Sequence, residues 1–62
     1  MNARIEIDPA IQHGRPVIKG TRVPVVRILG CIQEGMTVEQ AAAEYGVTVE
    51  DARAAVDYAA EL

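Results

Sequence analysis

The sequence predicts a mostly α domain: three helices containing a helix-turn-helix, preceded by short β-strands. Three observations carry this. Val25, Ile28, Leu29 and Ile32 recur at i, i+3, i+4 and i+7, one apolar helical face. Two threonine-led helix starts, Thr37-Val38-Glu39-Gln40 and Thr48-Val49-Glu50-Asp51, stand on either side of Tyr45-Gly46. All three prolines and two of the five glycines fall within residues 9–24, which breaks that stretch into turns.

The elements follow in order. Ile5 and Ile7 alternate with Arg4, Glu6 and Asp8, the period-two pattern of a half-buried strand, which Asp8-Pro9 ends. His13-Gly14-Arg15-Pro16 is a turn cluster, Val17-Ile18 suits a strand of two or three residues, and Lys19-Gly20-Thr21 turns again. Pro24 fits the first position of a helix, where its missing amide costs no bond. That first helix carries the apolar stripe and closes at Gly35. The second starts at Thr37 and ends with Gly46 as its C-cap glycine. The third starts at Thr48, carries Ala52, Ala55, Val56 and Ala59 on one face, and runs to about Leu62. Its expected exposed residues are Glu50, Asp51, Arg53, Ala54, Asp57 and Glu61. A single domain covers residues 1–62, with strands and turns in 1–24, helices in 24–62 and the helix-turn-helix at about 37–61.

Such a chain has little core to spare. A domain near this size buries only about 60% of its unfolded surface. Ten of its 31 hydrophobic residues are alanine, which contributes little buried area. One cysteine permits no internal disulfide, and one histidine leaves no Cys/His cluster for zinc. A partner subunit is the staple that remains. The expectation is a homodimer in which the β-branched front completes itself against a second chain. Its interface candidates are Ile5, Ile7, Val17, Ile18, Val25, Ile28, Leu29, Ile32 and Tyr58.

Charge divides the chain. Residues 1–31 hold five cations against two carboxylates, a net +3; residues 32–62 hold one arginine against seven carboxylates, a net −6. Two different contact surfaces are implied. Duplex DNA is gripped by cations on its phosphates, so the acidic third helix is a poor recognition helix. Any DNA contact falls to the basic front, with Arg15, Lys19, Thr21, Arg22 and Arg27 as candidates. Thr21 also suits a hydrogen bond to the local backbone.

Other chemistry is not expected. His13 reads as a solvated turn residue, Cys31 as a packing residue beside the apolar stripe, and Glu50-Asp51 as first-turn carboxylates that favour the helix dipole. No P-loop, dinucleotide fingerprint or metal motif is present, so no catalytic residue, metal, cofactor or small-molecule substrate is predicted. The chain is too short to be expected to enclose a substrate pocket of several hundred cubic ångströms. Uncharged runs such as Val23–Val26 and Ile28–Gln33 fall far short of the roughly 20 apolar residues of a membrane span. A lone cysteine and no apolar leader stretch point to the cytoplasm.

The string from His13 to Val25, His-Gly-Arg-Pro-Val-Ile-Lys-Gly-Thr-Arg-Val-Pro-Val, resembles the G-x-P-x-I-x-G-T-R-I/V-P-V signature of the domain-of-unknown-function family numbered 433. Asp8-Pro9, Gly35-Met36-Thr37 and the ordered series Glu39, Ala42, Tyr45, Glu50, Ala55 and Tyr58 extend the likeness over nearly the whole chain. The resemblance implies a homeodomain-like three-helix unit with a small β element in front. Many members continue beyond the position that matches Ala59. It also implies an antitoxin-like component of a type II toxin–antitoxin pair, which binds a PIN-type ribonuclease toxin and its own promoter DNA. A homo-oligomeric assembly module without DNA contact, built on the Val25–Ile32 stripe and the Ala52–Ala59 face, is the alternative.

Overall fold

A computed structural model describes residues 3–61. Strand β1 (Ile5–Glu6) pairs antiparallel with β2 (Val17–Ile18), Ile5 opposite Ile18 and Glu6 opposite Val17. Helices α1 (Val25–Gln33), α2 (Val38–Tyr45) and α3 (Val49–Ala60) follow. The expected end of the last helix at Leu62 lies outside the described residues.

β2 is the middle of the β element. On one side the Lys19 amide donates to the Arg4 carbonyl at 2.8 Å; on the other, the Ile18 amide donates to the Val23 carbonyl and the Val25 amide to the Pro16 carbonyl, both at 2.9 Å. A bridge between Val17 and Pro24 completes this second edge. Two-residue strands are not stable alone. They are held because both β2 residues are fully buried, Ile18 within the core it shares with the helices. Both β2 side chains are therefore covered within the chain itself.

Two local expectations change. Ile7 is 58% exposed: β1 stops at Glu6, and the Asp8-Pro9 turn carries the chain away before the alternation can return Ile7 to the core. Pro24 is the N-cap of α1 with extended backbone (φ −67°, ψ 142°), because the bridge to Val17 holds it in the β element. The residues before Arg15 form a left-handed turn, with φ of 50° at Gln12, 58° at His13 and 83° at Gly14. Left-handed backbone disfavours residues with a Cβ. Here the Gly14 amide donates to the Ile11 carbonyl at 3.0 Å, and Gln12 Nε2 donates to the Arg22 carbonyl at 3.3 Å.

The helices start and stop as their sequences dictate. Thr37 Oγ1 accepts from the Gln40 amide at 3.0 Å while Gln40 Oε1 accepts from the Thr37 amide at 2.8 Å. Thr48 and Asp51 repeat this reciprocal cap at 3.0 and 3.4 Å. Both caps satisfy amides that a helix start leaves without partners. Gly35 and Gly46, at φ 98° and 68°, end α1 and α2 in the left-handed conformation. After them the Met36 amide reaches the Cys31 carbonyl and the Val47 amide reaches the Ala42 carbonyl, each at 3.0 Å.

The core has two parts. Ile5, Ile18, Val25 and Ile28 fill the space between the β element and α1, and Val17 is buried outside that cluster. Ala41, Ala42, Ala52, Ala54 and Ala55 line the crossing of α2 and α3, where small side chains allow close approach. Ala54 is buried, not exposed, and Asp51 is half-buried, because the segment around Ala3 and Arg4 packs along the start of α3. No helix among the described residues is long and apolar enough to cross a membrane.

Candidate functional site

The basic front offers four exposed cations. Arg15, Lys19, Arg22 and Arg27 are all solvent-accessible, and among the described residues none lies in an ion pair. Lys19 and Arg22 flank the Gly20-Thr21 turn that joins β2 to the Val23 edge. The turn is rigid for a reason: Thr21 Oγ1 donates to the Ile18 carbonyl at 2.7 Å and accepts from the Val23 amide at 3.0 Å. The Thr21 hydroxyl is thus engaged by the local backbone on both sides and half-buried. Arg15 and Arg27 lie apart from that tip, where they line a groove with Val26, Gly30, Cys31, Glu34 and Tyr45.

The acidic surface lies on α3. Glu50, Asp57 and Glu61 fall at i, i+7 and i+11, within about 20° of one line down the helix. All three are exposed. Arg53 beside them reaches Glu39 only at 3.9 Å, with both side chains about two-thirds exposed, so that pair contributes little. Glu50 sits in the first turn, where the helix dipole favours it. Asp57 and Glu61 sit at the other end, where the dipole disfavours a negative charge, and no basic residue occupies the last turn.

Five of the nine interface candidates are interior. Val17, Ile18 and Ile28 are fully buried, and Val25 and Ile5 nearly so, because α1 turns its stripe onto α2, α3 and the β element. Val25 and Ile28 of that stripe, and Ala52, Ala54 and Ala55 on α3, are covered within the chain. Ile7, Leu29, Ile32 and Tyr58 reach the surface. The surface residue that sequence reasoning missed is Val26, at 57% exposure. Its signal was a β-branched residue placed off the helical stripe.

Val26 borders an open apolar groove of about 350 Å³, lined by Arg15, Pro16, Val25, Leu29, Tyr58 and Ala59 as well. A recess of that size was not expected in so short a chain. It is open to solvent and lies between α1, the end of α3 and the Arg15-Pro16 segment. Among the described residues, no group of three His, Cys, Asp or Glu could hold a metal ion.

A compact helix-turn-helix with a three-segment β front, a basic turn and an acidic last helix defines a class of small three-helix proteins. Within that class the chain belongs to the DUF433 family, described as protein of unknown function, whose family model matches residues 5–59. It is 38% identical over 56 residues to a protein of Mycobacterium tuberculosis (strain ATCC 25618 / H37Rv) that bears the name "Putative antitoxin VapB45". That match covers 90% of this chain and 23% of the relative. The fold is similar to the crystal structure of a DUF433 member protein from Anabaena variabilis ATCC 29413, with a TM-score of 0.82 and 34% identity over 94% of this chain and 58% of that one. It is also similar to the crystal structure of Rv2018 from Mycobacterium tuberculosis, with a TM-score of 0.74 and 36% identity over 84% of this chain and 24% of that one. The chain thus spans about a quarter of the length of the mycobacterial proteins and just over half of the cyanobacterial one.

Proposed function

We propose that the chain is an antitoxin-like module of a type II toxin–antitoxin pair, and that it binds a PIN-type ribonuclease toxin through the carboxylate stripe of α3. One observation carries the reading: Asp57 and Glu61 stand where the helix dipole opposes them, exposed and without an ion pair among the described residues. Charges that work against their own helix point to a use outside the fold. A ribonuclease binds a polyanion and carries a basic surface to do so. An acidic helix complements that surface, speeds encounter and sets orientation. The mycobacterial relative named as an antitoxin supports the same class of partner. Co-purification with the product of the neighbouring reading frame tests the reading. A ribonuclease retained by the chain and inhibited by it is the expected result; no retention in either direction contradicts it.

Promoter contact is the second part of the proposal, through Lys19 and Arg22 at the rigid turn. The support is that both are exposed, lack ion pairs among the described residues and flank a turn stiffened by Thr21. A salt titration of affinity for the upstream DNA separates this from an assembly module without DNA contact. Phosphate contacts make log affinity fall linearly with log salt. No binding at low salt would leave assembly alone.

A further inference from the structure

α1 buries one side only. Val25, Ile28 and Cys31 face the core, while Val26, Gly30 and Gln33 form a line along the opposite side. Two residues on that line do nothing for the chain's own fold. Val26 leaves more than half of an apolar side chain in water. Gly30 has no left-handed backbone that would call for glycine, and a Cβ there would meet nothing within 4 Å. Glycine weakens a helix interior relative to alanine, so the fold alone favours a side chain at this position. A bare stretch of helix beside a projecting apolar residue suits a second helix that crosses at close range.

Charge identifies that helix. Arg27 and Glu34 flank the line on one side, both exposed, and among the described residues neither is in an ion pair. They lie about 10 Å apart along the axis, too far to pair with each other. In an antiparallel crossing at Gly30, a residue three positions before the crossing meets one three or four positions after it. Arg27 then faces Glu34 of a second copy, and two-fold symmetry makes the contact twice. A parallel crossing would leave Arg27 and Glu34 of the two copies at different heights and on opposite sides of the contact, with no such pair. Shape agrees with charge: the Val26 ridge and the apolar groove beside it belong to one patch, so each copy offers both projection and recess.

We propose that the exposed side of α1 is a homodimer interface in which two α1 helices cross antiparallel at Gly30, with Val26 packed across the crossing and Arg27 paired to Glu34 of the second copy. This does not depend on the toxin-binding role, which uses a different helix.

Sedimentation equilibrium of the 62-residue chain, from micromolar to millimolar, tests it. The expected result is twice the single-chain mass at the upper end. Gly30→Glu and Arg27→Glu each return the mass to one chain, with helical circular dichroism retained. The exchange Arg27→Glu/Glu34→Arg restores the two-chain mass, which loss of folding could not produce. A single-chain mass at every concentration, a two-chain mass that survives Gly30→Glu, or an exchange variant as monomeric as Arg27→Glu would overturn the proposal.

Discussion

The Arg4 guanidinium donates to the Asp51 carboxylate at 3.0 Å, joining residues 47 positions apart in the chain. The second oxygen of the same carboxylate accepts from the Thr48 amide at 3.4 Å. One side chain therefore caps α3 and ties the start of the β element to it. Partial burial pushes the Asp51 carboxyl up, but the hydrogen bonds from Arg4 and Thr48, with the Arg4 charge, outweigh it and hold the group below its ordinary 3.8.

That tie has a pH signature. A carboxyl lowered in the folded state contributes stability that is complete above its ordinary value and lost as pH falls through its lowered folded value. Asp51→Asn should cost about 1 kcal/mol or less at neutral pH, since Arg4 is 53% exposed and water screens the pair. The difference between wild type and variant, followed by thermal unfolding, should be constant near neutrality and shrink below about pH 4. A difference that grows on acidification would contradict the assignment.

Thr21 is a fold residue more than a contact residue. Thr21→Val leaves the Ile18 carbonyl and the Val23 amide each without this hydroxyl partner, at a cost of about 1–2 kcal/mol. Urea unfolding measures it. Thr21→Ser keeps the hydroxyl and should stay much closer to wild type.

Two glycines should respond with opposite signs. Gly46 ends α2 at φ 68°, so Gly46→Ala forces a Cβ into left-handed backbone and should destabilise by about 1 kcal/mol. Gly30 is in open mid-helix, so Gly30→Ala should stabilise the single chain by about 0.5–1 kcal/mol. Thermal midpoints at low micromolar concentration compare the two directly.

The alanine crossing should tolerate little extra volume. Ala52 is fully buried between α2 and its neighbours, and Ala52→Leu should cost about 1–3 kcal/mol by overpacking. Denaturant midpoints check this, with Ala60→Leu at an exposed position as the control.

How far residue pattern determined structure differs between elements. The starts of α2 and α3 and the ends of α1 and α2 were readable because they rest on local chemistry: Thr37 with Gln40, Thr48 with Asp51, and glycine at 35 and 46. The front was readable as turns and strands, but not what covers it. Whether Ile18 packs on its own helices or on a second chain depends on contacts remote in sequence, and period-two patterning looks the same for both. Ile7 shows the same limit, since one turn after it decides which side it faces. Arg4 and Asp51 could not be paired from spacing at all. The charge division was visible by counting, whereas the alignment of Glu50, Asp57 and Glu61 along α3 needed only helical geometry. Ala54 stands within that line and is buried because the Arg4 segment covers it, which no helical wheel of α3 reveals.

The central claim is that the acidic end of α3 serves a basic partner and not the fold. The variant Asp57→Lys/Glu61→Lys tests it with two readings: its thermal midpoint, and its affinity for the ribonuclease partner proposed above. Lysines at a helix C-terminus favour the dipole, so the midpoint should hold or rise. Replacing two negative charges in the contact by two positive ones, a change of four units, should lower affinity by at least about tenfold, most steeply at low salt. An affinity equal to that of the wild type, or a midpoint that falls together with binding, would contradict the account.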